Sequence, residues 1–443
     1  LRGVNPMHSI YGNKFSIVRK QPLLWALGLV YVLPPIGMAW LFVLGICELV
    51  QTVKTKKKWA LDPVGLLFLL AAAAAVGATL VSWDWLRFLS VPMILAFYGI
   101  YLYLFHSIRR LHLRQYIWIV IGGGLYQVVS DKLFAAINHF VKIPDAISFF
   151  TGNLLLGFTK YDRLFGSAYN PNYACYLLIL SLSFLLVELL RMIRLRNKHA
   201  VLPMLIFLAV LDLGIYQTGS RAGFMIMLIL HLMFLLFYNK WLFVGTTGFM
   251  LVLTPFIYHW MPRSSSTEMS FSTRLDIWKN SFLVFWQHPL FGATPLDFPD
   301  VYQQIAGSSQ SHPHNLFLAI FSSSGLLCGL FFTFLIIMSA YFLTRSFFQD
   351  KRHRYKVILF LFALPTIIEY GIMDFTLSSP QIMLVVLVLS AFWIDYLYQK
   401  GWLKDVHSVL LPRLFRKINV RADKKKPALA LTTNFPIVKK TEG

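Results

Sequence analysis

Apolar runs separated by short polar connectors organise this chain. They cover residues 22–33, 36–53, 61–81, 86–105, 116–137, 169–190, 201–217, 222–238, 241–260, 315–343, 357–371 and 381–398. About twenty helical residues cross the hydrocarbon core of a bilayer, so most of these runs predict membrane spans. The first two are short and are separated by Pro34-Pro35, which reads as two short helices or one broken one. The pattern predicts an all-α polytopic membrane protein with about 12 transmembrane helices. Two longer segments, about 138–168 and 262–314, interrupt the rhythm, and connections of that length usually carry function or disorder. The second holds Phe271, Trp278, Phe282, Phe285, Trp286 and Phe291, and within 274–287 Leu275, Trp278, Phe282 and Phe285 fall at helical spacing. It predicts a large, structured late loop with a helix lying on the membrane, then a turn at His288-Pro289-Leu290-Phe291-Gly292. Residues 1–400 form one polytopic membrane unit, and 401–443 form a basic tail. Residues 402–418 of the tail read as an interfacial amphipathic helix, and the rest as a polar, disordered end.

Composition agrees with this division. Hydrophobic residues make up 57% of the 443, and mean hydropathy is +0.62. Soluble domains stay nearer to half apolar. Cys47, Cys175 and Cys328 all lie in apolar runs, too scattered for a disulfide framework or a thiolate metal site, and read as small packing residues. The N-terminus shows no signal-peptide pattern with a small-residue cleavage site.

The net charge of +22 first suggests nucleic acid. Its placement argues for topology instead. Lys54, Lys56, Lys57 and Lys58 fill one short connector, and Arg109, Arg110 and Arg114 another. Arg191, Arg194, Arg196 and Lys198 fill a third, and Arg345, Lys351, Arg352, Arg354 and Lys356 a fourth. The chain after Tyr398 adds eleven more cations. If every span is real, these all fall on one side, which the positive-inside rule makes cytoplasmic. The basic tail is then cytoplasmic, both long loops face the periplasm or cell exterior, and membrane lipid rather than nucleic acid is the partner of the charge.

Candidate chemistry sits at the outer ends of spans. Arg221, in Thr218-Gly219-Ser220-Arg221-Ala222-Gly223, lies between two apolar runs with almost no loop. A cation at that depth is expensive and marks a functional site, unless it snorkels to the interface. Arg274 opens the late-loop helix four residues before Trp278; it is a surface cation, or with Arg221 an anion clamp suited to a diphosphate. His312-Pro313-His314-Asn315 ends the loop. His314 is an interfacial packing residue or a base for a hydroxyl nucleophile, and His312 is the weaker candidate. Asn315 suits a helix cap as well as a substrate contact. Asn170-Pro171-Asn172 starts a span, again as a cap or as substrate lining. Glu369 and Asp374 flank the end of one span, placed to orient an arginine or the histidine. No paired carboxylates, Walker motif, dinucleotide fingerprint or His-Glu-x-x-His occurs in the outer loops, so neither a metal nor a cofactor is indicated.

These residues resemble those of the O-antigen ligase and O-antigen polymerase family of bacterial envelope glycosyltransferases. The resemblance rests on Gly166-x-x-x-Asn170-Pro171-Asn172, Ser220-Arg221-Ala222, Arg274-x-x-x-Trp278 and His288-Pro289-x-x-Gly292, with His312-Pro313-His314-Asn315 followed by Gly325 and Gly329. Their order and topology carry it from Gly166 to Gly329. It implies transfer of a glycan from an undecaprenyl-diphosphate carrier to an acceptor hydroxyl, inverting and without metal, at the outer face of the bacterial cytoplasmic membrane. Arg221 and Arg274 would hold the diphosphate and His314 would be the base. Asn170, Asn172, Ser220, Trp278, His312 and Asn315 would contact substrate. The Asn-Pro-Asn and His-Pro-His-Asn forms look more like polymerases, which extend a chain, than ligases, which move a finished chain to lipid A core or another acceptor. A transporter or flippase of lipid-linked glycans is the competing class, although charged residues are nearly absent from the spans; a scaffold of an envelope complex is a third.

Overall fold

The computed structural model describes residues 21–153, 163–264 and 267–403. Every described regular element is helical. We number the longer helices in chain order: α1 (Pro22–Val32), α2 (Pro34–Thr55), α3 (Pro63–Ser82), α4 (Ser90–Ser107), α5 (Leu113–Phe140), α6 (Pro171–Arg194), α7 (Lys198–Gln217), α8 (Arg221–Tyr238), α9 (Lys240–Val252) and α10 (Thr254–Trp260). The late loop contributes α11 (Thr267–Gln287) and α12 (Phe298–Ala306), and α13 (Leu316–Gln349), α14 (Arg354–Met373) and α15 (Pro380–Gln399) complete the set.

All twelve apolar runs are helical, but not all are simple spans. Among the described residues nine helices are long and apolar enough to cross a membrane: α2, α3, α4, α6, α7, α8, α13, α14 and α15. The chain is therefore a multi-pass membrane protein. The run at 241–260, read as one span, is two helices bent by 75° at Leu253. The cause is Pro255 in the first turn of α10, which has no N–H with which to continue α9. At the start of the chain Pro34-Pro35 breaks the helix at Leu33, so α1 and α2 are separate. The eleven residues of α1 reach only about 16 Å, roughly half a hydrocarbon core. The 28 residues of α5 are long enough to cross, but they carry the Gly122-Gly123-Gly124 run together with Asp131 and Lys132, which dilutes their apolarity.

The centre of the bundle is α6, whose spanning window is 94% buried and which packs against α5, α7, α8 and α14. This position explains why the helix is apolar on all sides: no face of it meets lipid. Basic connectors meet at one end of the bundle, where Gln21 donates to the Arg110 carbonyl (3.0 Å) and Arg109 reaches Asp395 (3.2 Å). We call this the basic end.

At the opposite end the late loop folds on a small core of its own, Ile277, Val284, Ala293, Phe298, Val301 and Tyr302. The loop helix is longer than the 274–287 read from periodicity, and it packs against α13 rather than standing apart. The expected turn is present, with Gly292 N–H donating to the His288 carbonyl at 2.9 Å. The turn docks into a break in α13 at Gly325, where φ is 77°. A Cβ on Gly325 would collide with the Leu290 carbonyl oxygen, and one on Gly292 with the backbone between Ser323 and Ser324. Only glycines allow this contact and this conformation together. In the first outer loop, Asp145–Thr151 is a short helix. Most of the basic tail, 404–443, lies outside the described residues, as does Asp162.

Candidate active site

The site begins with chain punctuation. Four of its residues stand where an α-helix starts or stops, because those positions offer unpaired backbone groups and a route out of the bilayer. Asn170 caps α6, accepting from Asn172 N–H at 2.8 Å. Ser220 caps α8 through Gly223 N–H at 3.2 Å. Asn315 caps α13 through Phe317 and Leu318, and its amide also donates to the Ile372 carbonyl at 3.0 Å. Asp374 follows the last residue of α14. The proline at the first turn of α6 and the asparagine caps are the local reasons the helices start there.

Side chains at these helix ends converge. His314 Nδ1 is 2.8 Å from Asp374 Oδ1, and Asn172 Nδ2 donates to Asp374 Oδ2 at 2.7 Å. Phe375 N–H adds a third bond to the same carboxylate at 2.8 Å. Asp374 is 2% exposed. Burial works against its charge, but hydrogen bonds from His312 and His314, and their positive potential, hold the carboxyl well below the usual carboxylate range. With Nδ1 of His314 turned to Asp374, Nε2 is left to exchange a proton with something else. His314 has a left-handed backbone, φ 51°, uncommon for a residue with a side chain. Its carbonyl receives Trp278 Nε1 at 3.2 Å. Trp278 lies one turn beyond Arg274 on α11, so the same helix that positions His314 carries that arginine.

Behind the carboxylate a chain of hydrogen bonds leads to the other arginine. Arg163 Nη2 donates to Asn172 Oδ1 (2.9 Å), and its Nε donates to the Thr218 carbonyl (2.5 Å), three residues before Arg221. Tyr370, one turn before Asp374, exchanges a hydrogen bond with Ser220 (2.9 Å) and donates to the Asn172 carbonyl (3.1 Å). The turn that holds Arg221 is thereby fixed to the helix end that holds Asp374. Arg221 Nη1 reaches the Arg263 carbonyl at 3.5 Å, and the charges of Arg263 and Arg274 both bear on Arg221. Three guanidinium groups are gathered at this end.

Of the residues singled out in the sequence, His314, His312, Trp278, Asn172 and Ser220 meet in one network. Asn172 turns its amide to Asp374 and Arg163, and Asn170 and Asn315 serve as caps. The His312 ring lies 4.5 Å from the His314 ring, tilted by 54°, and Ser311 Oγ lies 2.8 Å from its Nδ1. Arg163, Arg263 and Tyr370 belong to the network without having been singled out. Arg163 precedes the Gly166 motif and its partner lies nine residues on, so only the fold reveals the contact. Arg263 was visible only as one of the rare cations outside the basic connectors.

His312, His314 and Asp374 form a group whose ligand atoms lie within 4.8 Å of one another, suited in residue type to a metal ion. Two ligands at about 2.1 Å from a tetrahedral ion stand roughly 3.4 Å apart. The His314–Asp374 separation of 2.8 Å is that of a hydrogen bond, while His312 Nε2 stands 3.5 Å from Asp374. The first spacing is that of a carboxylate–histidine pair, and the second is also that of two ligands on one ion.

Beside this network opens an apolar cavity of about 860 Å³, with Ser311, His312 and Pro313 at one end of its lining. The lining follows α13 from Leu316 to Leu343, about 40 Å of helix, longer than the roughly 30 Å of a bilayer core. Glu369 faces it. The late loop covers it with Pro295, Leu296 and Phe298, and is fastened by Arg87 to Asp297 at 2.8 Å.

Residues 203–335 match the O-antigen ligase family. This stretch is similar to an O-antigen ligase family domain. The resemblance drawn from the motifs is thus borne out. The matched O-antigen ligase stretch contains Ser220, Arg221, Arg274, His288, Gly292 and His314, and leaves Arg163, Asn172 and Asp374 on either side of it. No curated protein matches the chain.

Proposed function

We propose that this protein transfers a glycan from an undecaprenyl-diphosphate carrier to an acceptor hydroxyl, with inversion and without metal, as a surface polysaccharide polymerase. Glycosyl transfer of the O-antigen ligase and polymerase type follows from the family match; the carrier, the metal independence and the choice of polymerase are our reading. One observation carries it. His314 is held from one side by the buried Asp374 and from the other by Trp278, on the helix that bears Arg274.

The chemistry follows from that arrangement. Asp374 keeps the proton of the neutral imidazole on Nδ1, so Nε2 takes the proton of the acceptor hydroxyl as its oxygen attacks the anomeric carbon. The bond from that carbon to the diphosphate oxygen breaks, and its electron pair leaves with the diphosphate. Arg221 and Arg274, with Arg263 beside them, stabilise the negative charge that grows on the leaving group. Positioned charge of this kind supplies much of the rate enhancement when the leaving group is anionic. Attack from the face opposite the leaving group inverts the centre, and among the described residues no carboxylate is taken as a second nucleophile. The apolar cavity accommodates the lipid chain while the sugar stays at the polar end. The positive-inside rule puts the basic end in the cytoplasm and the site on the far side of the cytoplasmic membrane. The Asn170-Pro171-Asn172 and His312-Pro313-His314-Asn315 forms favour a polymerase.

Purified protein in detergent, given a lipid-linked oligosaccharide with and without EDTA, tests this. A ladder of products that persists in EDTA is expected. Product only after a separate acceptor is added would make it a ligase. Loss of product in EDTA, restored by a divalent ion, would overturn the metal-free mechanism. No transfer with any acceptor, while lipid-linked glycan crosses vesicle membranes, would make it a transporter.

A further inference from the structure

A second cavity, about 460 Å³, lies at the basic end, within the range of about 300–1,000 Å³ common for small-ligand pockets. Three elements build it: the turn between α4 and α5, the first turns of α14 and the last turns of α15. Its wall is aromatic. Phe360 and Phe392 are buried in it, and Tyr355 and Tyr396 turn their hydroxyls away, to Glu188 and to Asp350 respectively. What these rings leave for an occupant is a small apolar floor, since Phe360, Tyr396 and Phe392 keep only 1%, 3% and 8% exposure.

Its rim is cationic. Arg109, Arg114 and Lys356 line it, with Asp395 as the single carboxylate in the lining. Asp395 is already held by Arg109 at 3.2 Å and by Gln399 at 2.6 Å. Arg114 and Lys356 have no acidic partner among the described residues. The pocket stands where four helices end or begin, hence at headgroup level. Two cations without counter-ions, set over an aromatic wall at that depth, match an amphiphile with an anionic head.

We propose that this pocket binds the phosphodiester headgroup of an anionic phospholipid, with the acyl chains running down the aromatic wall. A free phosphate would satisfy the cations alone, whereas a lipid uses both halves of the pocket. Its occupation ties the α4–α5 turn to α14 and α15. The far end of α14 carries Asp374, so the lipid braces a helix that serves the site without touching it.

Purified protein in a neutral detergent is titrated with phosphatidylglycerol, with phosphatidylcholine or with inorganic phosphate, and its melting temperature followed. Phosphatidylglycerol is expected to give a saturable rise, the other two little or none. Arg114→Gln/Lys356→Gln should weaken the phosphatidylglycerol response, on the order of 30-fold in half-saturating lipid. Lys351→Gln/Arg352→Gln removes the same charge from the neighbouring connector and should leave it unchanged. Equal loss in that control would mean diffuse attraction and overturn the site. So would an equal rise with phosphatidylcholine, or with inorganic phosphate. If the double variant does not fold, Lys356→Gln alone should weaken the response about fivefold, and an unchanged response there would equally overturn it.

Discussion

The paired cations of the basic end and the arginines of the site treat positive charge in opposite ways, although on the site's side Arg87 also meets a carboxylate, Asp297. At the basic end cations meet buried carboxylates: Lys57 and His106 on Glu48 at 2.9 and 2.8 Å, Arg191 on Glu188 at 3.2 Å, and Lys400 on Asp350 at 2.5 Å. At the other end Arg221 and Arg274 have no acidic partner among the described residues, and Arg263 crowds them. The one buried carboxylate there among the described residues, Asp374, serves two histidines and an asparagine instead. Cations that meet their own carboxylates hold helices together. Cations held near one another without an anion repel, and are relieved when a ligand brings one. Other cations at the basic end stand outside these pairs; Arg114 and Lys356 are the two of them that line a pocket together, which is why a ligand is assigned there.

That contrast breaks most sharply at His314. With no imidazole to take the proton, His314→Ala should lower transfer by about 10²–10⁴-fold while leaving the protein folded, measured as initial rate with lipid-linked oligosaccharide. Arg221→Ala and Arg274→Ala should each lower the rate by about 10²–10³-fold yet leave thermal stability unchanged or slightly raised, because a like-charge contact is removed. Arg191→Ala at the basic end should do the reverse. It leaves Glu188 short of a partner and costs about 3 kcal/mol of stability, with turnover per folded molecule little changed. If Arg221→Ala melts earlier and Arg191→Ala loses activity, the distinction between the two ends is wrong.

Smaller effects sharpen it. Asp374→Asn keeps the shape but loses the charge that fixes the His314 tautomer, so a fall of about 10²-fold in kcat with little change in KM is expected. Asp374 also gives pH a sign. Its folded value is depressed, so its contribution to stability is present above the unfolded value of about 4 and is lost only as pH falls through the depressed one. Wild type should therefore gain stability over Asp374→Asn as pH rises through the acid range to about 4, and hold that advantage above. Arg163→Lys, the smallest change, keeps a cation but not the two-pronged hold on Asn172 and Thr218. A loss of about tenfold in kcat is expected, and an unchanged rate would remove Arg163 from the positioning chain.

The fold was largely legible because the bilayer imposes one rule, apolar helices, and proline breaks them where it stands. Pro34-Pro35 showed its break in the sequence. Pro255 did not, since the run around it stays apolar, and a 75° bend leaves hydropathy untouched. The docking of the late loop was half visible: Gly292 and Gly325 stood out, but that one fits against the break at the other needs a third dimension. Site residues next to helix ends, His314 and Arg221 above all, were legible because charge there is costly. Asp374 was noticed with the histidine as one of two possible partners, but its bond to Asn172 was not, and Arg163 and Tyr370 were not singled out, because these contacts join residues up to 202 positions apart.

The most direct measurement separates binding from chemistry. Affinity for an undecaprenyl-diphosphate-linked glycan is measured on wild type, on His314→Ala and on Arg221→Ala/Arg274→Ala. Affinity close to wild type in the histidine variant, and a loss of at least about tenfold in the arginine pair, are expected. Equal affinity in all three would contradict the arginines as the diphosphate site and, with it, the proposed division of labour.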